Sequence, residues 1–316
     1  MRRLNILIWH IHGSYLHLLA QTPHDLYLPV KPGRPEGYGG RTGHFPWPDN
    51  VHEVAAEDVR RLKLDLVVYQ TPKNYFEDQF EILGPEQRRL PKIYLEHNTP
   101  KEHPTDTRHP VADERDVLLV HCTHFNALVW DAGSCPTRVV EHGVIPPLGL
   151  TYRGDLHRGI VVVNHLARRG RVAGADVWAW MCERVPLDLA GMDSERLGGL
   201  GDLPQRELLE RETRYRFFFN PIRYTSMPLA VIEAMALGLP IVCLATTALY
   251  TAVVDGVTGY IDCDLQRLAD VMRHLLADRG EAERLGRNAR ALALDRFGIE
   301  RFVRDWNHVF QEVCGP

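Results

Sequence analysis

A chain of 316 residues is longer than one hydrophobic core usually supports, so two domains of about 150 residues each are expected. With 45% hydrophobic and 25% charged residues the composition is that of an ordinary globular protein, and a net charge of −4 gives no global reason to expect nucleic-acid or anionic-membrane binding. Six cysteines, at 122, 135, 182, 243, 263 and 314, show neither C-x-x-C nor zinc-like spacing, which points to isolated thiols in a reducing compartment, with neither metal nor a disulfide frame.

The N-terminal MRRLNILIWHIHG carries two arginines, but Asn5 and His10 break its apolar run, which is too short for a secretory signal or a membrane span. It reads as the first core strand, 4–9, of a cytoplasmic protein, running into a glycine loop. LDLVVYQ (64–70), KIYLEHN (92–98) and DVLLVHCT (116–123) repeat the pattern of a short apolar run followed by polar residues, with charged helical segments between them. That alternation describes an α/β domain with a parallel sheet. Residues 23–50 differ, with six prolines, five glycines and little apolar periodicity, and read as one long loop.

Proline and glycine accumulate again around 141–159, the expected interdomain linker. A second alternation follows: GIVVVNH (159–165), LDLAGM (187–192), YRFFFNP (215–221), PIVCLA (240–245) and TGYID (258–262). Two parallel α/β blocks make a two-lobed molecule, whose ligand is expected outside the carboxyl ends of the strands, in a cleft between lobes. From 265 onward the pattern is helical, interrupted at RGEAE and FGIE.

Candidate site residues lie at the ends of these strands. Gly13 follows the first strand, where a bare backbone can approach a phosphate or sugar or can simply make a turn, and no G-x-G-x-x-G fingerprint accompanies it. His97, between Glu96 and Asn98, can hydrogen-bond a substrate hydroxyl or be a satisfied structural histidine. Arg168, Arg169 and Arg171 read as a loop before a helix, suited to a diphosphate or to solvent. In RYTSMPLAVIEAMALGLP (223–240), Thr225 and Ser226 are expected to cap a helix whose first turn holds Pro228 and whose stop is Gly238. That helix is apolar on nearly every face except at Glu233, so the carboxylate must be exposed, paired with an arginine, or offered to a ligand.

The segment FFFNPIRYTSMPLAVIEAMALGLPIVCLATTAL resembles the donor-binding core of glycosyltransferase family 4 and its GT-B relatives. VVVNHLARRGR with GADVW, GGLGDLPQRELLE and VVDGVTGYI stand in the order that family requires, and the likeness spans roughly 159–305. It is looser in the first half, at HIHG, EHNTP and VVEHGVIPP. The resemblance implies the GT-B fold of class α/β: two Rossmann-like domains with a cleft between them, here 1–150 on the acceptor side and 151–298 for the nucleotide sugar. It also implies a C-terminal helix, 299–316, crossing back to the N-terminal domain.

By the same resemblance the chain is a retaining, metal-independent, hexosyltransferase-like enzyme with no cofactor and a UDP- or GDP-sugar as co-substrate. Its acceptor is a sugar, glycan or small molecule, and neither nucleic acid nor stable membrane insertion is implied. Carried over by position, Glu233 binds the ribose hydroxyls, Arg168, Arg169 or Arg171 meet the diphosphate, and Thr225, Ser226 and Met227 face the donor. Asn164 belongs to the same donor site, Gly201, Asp202 and Leu203 to a loop near the base, and His97 matches the first-lobe active-site histidine. Two positions depart from the family. Thr225 stands eight residues before Glu233, where a second glutamate is usual, and His165 stands near the place of a phosphate-segment arginine with no lysine nearby. The first departure favours an alternative, a non-catalytic GT-B module that binds a sugar nucleotide or steadies a partner enzyme. A nicotinamide oxidoreductase is disfavoured because the dinucleotide fingerprint is absent.

Overall fold

A computed structural model describes residues 2–43 and 45–315. Met1, His44 and Pro316, which fall in the expected first domain, proline-rich loop and last helix, lie outside the described residues. Contacts divide the chain into two compact units: one runs to Gly143 and resumes at Ile299, and the other is Val144–Gly298.

The first unit contains β1 (Asn5–Ile8), α1 (Gly13–Leu19), β2 (Asp25–Val30), β3 (Val51–Ala55), β4 (Leu66–Tyr69), α2 (Gln79–Ile82) and β5 (Lys92–Glu96). β6 (Thr107–Arg108), β7 (Val117–His121), α3 (His124–Val129), β8 (Trp130–Asp131) and β9 (Thr137–Val139) follow. Seven of the strands form a sheet in the order β3-β2-β1-β4-β5-β7-β9, while β6 pairs with β8 apart from it. Its ladders are parallel, and Ile6, Leu7, Ile8 and Trp9 are at most 1% exposed, so the continuous apolar runs are strands covered on both faces.

One correction concerns 23–50, which is not a single loop, because Asp25–Val30 forms β2 inside the sheet. Pro29 argues against a strand when read from sequence, since it cannot donate to a ladder. Here β1 pairs with β2 only through Asp25, Leu26 and Tyr27, and Pro29 lies beyond that ladder, opposite Val54 of β3. The remainder folds back on the strand ends through bridges of Gly37 to His10 and Gly39 to Val30. Glu53 ties it down by accepting from Arg34 Nη1 at 2.9 Å and from the Arg41 backbone N–H at 2.6 Å.

The second unit contains β10 (Leu156–Val162), α4 (Leu166–Ala173), α5 (Ala175–Cys182), β11 (Leu187–Ala190), α6 (Gln205–Glu212), β12 (Tyr215–Asn220) and α7 (Leu229–Leu237). β13 (Ile241–Leu244), α8 (Leu249–Ala252), β14 (Gly259–Asp262), α9 (Leu265–Ala277) and α10 (Arg279–Phe297) complete it. Its sheet is parallel with the order β11-β10-β12-β13-β14. Strand order reverses at the β10/β12 boundary, the position where open parallel sheets bind ligands. β10 begins at Leu156, inside the stretch read as linker, and Tyr152 before it already donates its hydroxyl to the Arg216 carbonyl at 2.8 Å.

The helical tail breaks where capping dictates. Asp278 accepts from the Glu281 N–H and opens α10, so RGEAE is the start of a helix and not an interruption. Gly298 separates α10 from α11 (Ile299–Cys314), which belongs by contacts to the first unit. There Phe302, Trp306 and Phe310 are fully buried, with Phe302 5.4 Å from Tyr15 and Phe310 5.2 Å from His24 between ring centroids. Each such aromatic contributes about 2 kcal/mol by removal from water.

Candidate donor site at the strand switch point

β10 delivers Asn164 and His165 at its carboxyl end, and His165 turns the chain into α4 from a left-handed conformation (φ 55°, ψ 38°). Arg168 and Arg169 therefore sit in the opening turns of α4, not in a loop before it. Cations are unfavourable at a helix N-terminus unless something negative lies beyond it. Neither guanidinium makes a hydrogen bond or ion pair within the described residues, and no acidic residue occupies that turn. Burial, then the neighbouring Arg168 charge, pushes Arg169 below the ordinary arginine value although the residue is exposed overall.

Arg171 is different. Its Nη1 is 2.5 Å from Asp176 Oδ2, and Arg223 grips the same carboxylate through Nη1 at 2.5 Å and Nη2 at 2.8 Å. The Arg223 hydrogen bond first of all, with the Arg171 charge, lowers the Asp176 carboxyl to about 2. Arg223 Nη1 also donates to the Arg171 carbonyl at 2.8 Å, and the Arg223 N–H donates to the Val172 carbonyl at 3.0 Å. Arg223 thus pins α4, which is broken at Gly170 (φ 56°, ψ −136°), to the loop after β12, while Arg171 ties α4 to α5 through Asp176.

The expected base loop joins this corner through backbone bonds. Asn164 Oδ1 accepts from the Met192 N–H at 2.9 Å, Gly191 N–H donates to the Gly201 carbonyl at 2.9 Å, and Gly201 N–H donates to Ser194 Oγ at 2.9 Å. Gly201 has φ +84°, the left-handed region that favours glycine, and a Cβ there would displace the carboxylate end of Glu195, 2.7 Å away. Asp202 is exposed, Leu203 is half-buried, and both precede Gln205, the first residue of α6.

Gln205 leads to the residue of greatest interest. Its Nε2 donates to Glu233 Oε1 at 2.9 Å, the one hydrogen bond to that carboxylate from a described residue, and no arginine pairs with it. Desolvation raises the Glu233 carboxyl, with the Gln205 hydrogen bond opposing. Glu212, at the far end of α6, is 1% exposed with no hydrogen-bond partner for Oε2 among the described residues. Burial first, then the Glu233 charge, pushes Glu212 well above the usual glutamate range. Sequence reasoning missed Gln205 and Glu212, although their seven-residue spacing puts both on one helix face.

The loop from β12 to α7 brings Thr225, Ser226 and Met227 to the same corner. Neither Thr225 nor Ser226 caps α7, because the N-cap is Pro228 and it makes no side-chain bond. Ser226 Oγ is buried with no partner among the described residues, and Thr247 Oγ1, in the loop after β13, donates to the Ser226 carbonyl at 3.4 Å. Met227 is buried. α7 closes at Gly238 in the left-handed conformation, as its sequence implies.

In the first unit, a Cβ on Gly13 would meet Phe45 Cε2 at 2.9 Å and His10 Nε2 at 3.1 Å, so the bare backbone admits these two side chains. His97 follows β5 with both ring nitrogens engaged: Nε2 is 2.8 Å from Gln70 Oε1 and Nδ1 is 3.6 Å from Cys122 Sγ. Burial, then the His12 and His142 charges, lowers its pKa well below the ordinary histidine value. Among the described residues no group of three or more His, Cys, Asp or Glu could hold a metal ion, and no helix is long and apolar enough to cross a membrane.

Residues 197–278, which include the Gly201 loop, Gln205, Glu212 and Glu233, match the sequence model of the family described as glycosyl transferases, group 1. No curated protein sequence matches the chain. Solved structures resemble it over nearly its whole length. The sucrose-phosphate synthase of Thermosynechococcus elongatus is 15% identical, with 98% of this chain and 99% of that one covered at a TM-score of 0.72. Anabaena HepE in complex with UDP-glucose is 14% identical, covering 98% and 100% at 0.71, and a glycosyltransferase from Rickettsia africae is 10% identical, covering both chains fully at 0.68. The chain has the α/β fold of these GT-B structures, and within it residues 197–278 are similar to the group 1 glycosyl transferases.

Proposed function

We propose that the chain moves a sugar from a nucleotide diphosphate to a hydroxyl acceptor as a retaining, metal-independent glycosyltransferase of the family 4 type. The observation that carries this reading is the β10/β12 switch point. There two arginines that make no hydrogen bond or ion pair to a described residue open α4, and a desolvated Glu233, paired with no described arginine, stands on α7. Arg168 and Arg169 take the diphosphate, Glu233 the ribose hydroxyls, and the loop of Gly201, Asp202 and Leu203 the base. Asn164 and the 225–227 backbone face the sugar and phosphate. Val144–Gly298 is then the donor unit and the first unit the acceptor side. Anabaena HepE holds UDP-glucose, which supports a UDP-sugar here, with a GDP-sugar as the other choice.

As the bond from the anomeric carbon to the diphosphate breaks, positive charge develops on the sugar and negative charge on the departing phosphate. Guanidinium groups fixed in place before the reaction stabilise that departing charge without reorganising. The leaving phosphate oxygen takes the acceptor proton, so no carboxylate nucleophile is needed. Thr225, standing where the resemblance expects a second glutamate, favours the second reading, a module that binds the nucleotide sugar without turning it over. A thermal-shift screen of nucleotides and nucleotide sugars tests the parent reading, because a ligand that binds only the folded chain raises its melting temperature by mass action. Stabilisation by nucleoside diphosphates and their sugars is expected; no shift with any of them would remove the proposal.

A further inference from the structure

The strand order of the first unit reverses between β1 and β4, so its ligand side is the end from which His10 to Gly13, Gln70 and His97 emerge. His97 is locked there. Gln70 Nε2 donates to the Trp9 carbonyl at 2.6 Å, which fixes Gln70 Oε1 as an acceptor, so His97 Nε2 carries the hydrogen it donates to that oxygen. Nδ1 is then the accepting nitrogen, facing the Cys122 thiol. Behind Cys122 stands the Tyr15 hydroxyl, which accepts from Trp306 Nε1 at 3.1 Å. Every polar position on the His97 ring is used, and a substrate hydroxyl could reach it only by breaking this network.

His12 is placed otherwise. It occupies the N-cap position of α1 without capping it, and its ring lies 4.2 Å from that of His97, tilted by 59°. No described residue hydrogen-bonds its nitrogens, and the residue is partly exposed. Desolvation is the largest influence on it and lowers its pKa, so at neutral pH the ring offers one donor and one acceptor.

Building on the glycosyl-transfer reading, we propose that His12 is the first-unit imidazole that hydrogen-bonds a substrate sugar hydroxyl, and that His97 is a positioning residue fixing the ring beneath it. His12→Phe keeps an aromatic ring on His97 while removing both nitrogens. The test uses the full chain with UDP-glucose and GDP-mannose as donors, follows nucleoside diphosphate release, and maps histidines modified by diethyl pyrocarbonate by mass spectrometry. His12 is expected to react well before His97, with loss of turnover following the fraction of His12 modified. His12→Phe is expected to lose about tenfold or more in turnover, the worth of one hydrogen bond, with unchanged melting temperature and unchanged affinity for the nucleoside diphosphate. His97→Gln is expected to change the reactivity of His12 together with turnover, a coupling that a merely structural role would not produce. Turnover by His12→Phe equal to that of the wild type, or loss of activity tracking His97 modification, would overturn the inference alone. A wild type that releases no nucleoside diphosphate from either donor and binds none would defeat the glycosyl-transfer reading, and this inference with it.

Discussion

Replacing Glu233 with alanine separates a ligand role from a structural one, because the carboxylate has so few internal obligations. Among the described residues it accepts one hydrogen bond, from Gln205, and it is desolvated enough to raise its pKa. Losing that bond costs about 1 kcal/mol, offset by release from a buried like-charge neighbour, Glu212, and by the better helix propensity of alanine. The melting temperature is therefore expected to stay within about 3 °C of the wild type. Binding is where the loss falls. A carboxylate accepting from two ribose hydroxyls contributes about 2–4 kcal/mol, which corresponds to a nucleotide affinity roughly 30- to 700-fold weaker. Isothermal titration with UDP and GDP, alongside thermal melts of both proteins, measures the two quantities. A variant that melts more than about 5 °C lower while binding nucleotide as before would refute the reasoning and make Glu233 a structural residue.

The three arginines of α4 are expected to part company. Arg168→Ala and Arg169→Ala each weaken a nucleoside diphosphate by about tenfold or more and leave the parent nucleoside unaffected, whereas Arg171→Ala leaves both unchanged because its partner is Asp176; equal losses in a titration of all three would contradict this. Glu212→Gln should stabilise the fold in a pH-dependent way. With its folded pKa raised, the carboxyl supports stability fully below the ordinary glutamate value and progressively less as pH rises through the folded value. The gain in melting temperature is thus larger at about pH 8 than at about pH 5, and a variant that melts lower at the higher pH would contradict a buried, unpartnered carboxyl.

Much of the framework was legible because parallel strands buried on both faces are written as short apolar runs, and the runs beginning at LNILIW and at GIVVVNH became β1 and β10. β2 was hidden by Pro29, which is tolerated because the ladder with β1 ends at Tyr27 and leaves Pro29 paired on the β3 side alone. Around the candidate site, the order of the motifs drew attention to Glu233, Arg168 and Arg169, which the structure puts on α7 and in the opening turns of α4. What sequence could not separate was Arg171 from its neighbours, because the carboxylate that engages it, Asp176, is shared with Arg223 from a loop some fifty residues away. His97 illustrates the same limit: its position after β5 is readable, but its saturation by Gln70 and Cys122 depends on two other strand ends.

The central claim is chemical, and release of nucleoside diphosphate from UDP- and GDP-sugars by the purified chain, with and without sugar acceptors, tests it most directly. Release that rises with an acceptor and falls in the Arg168→Ala and Arg169→Ala variants is the predicted result. Nucleotide sugars that bind yet are never turned over with any acceptor would contradict transfer and leave the binding module as the function.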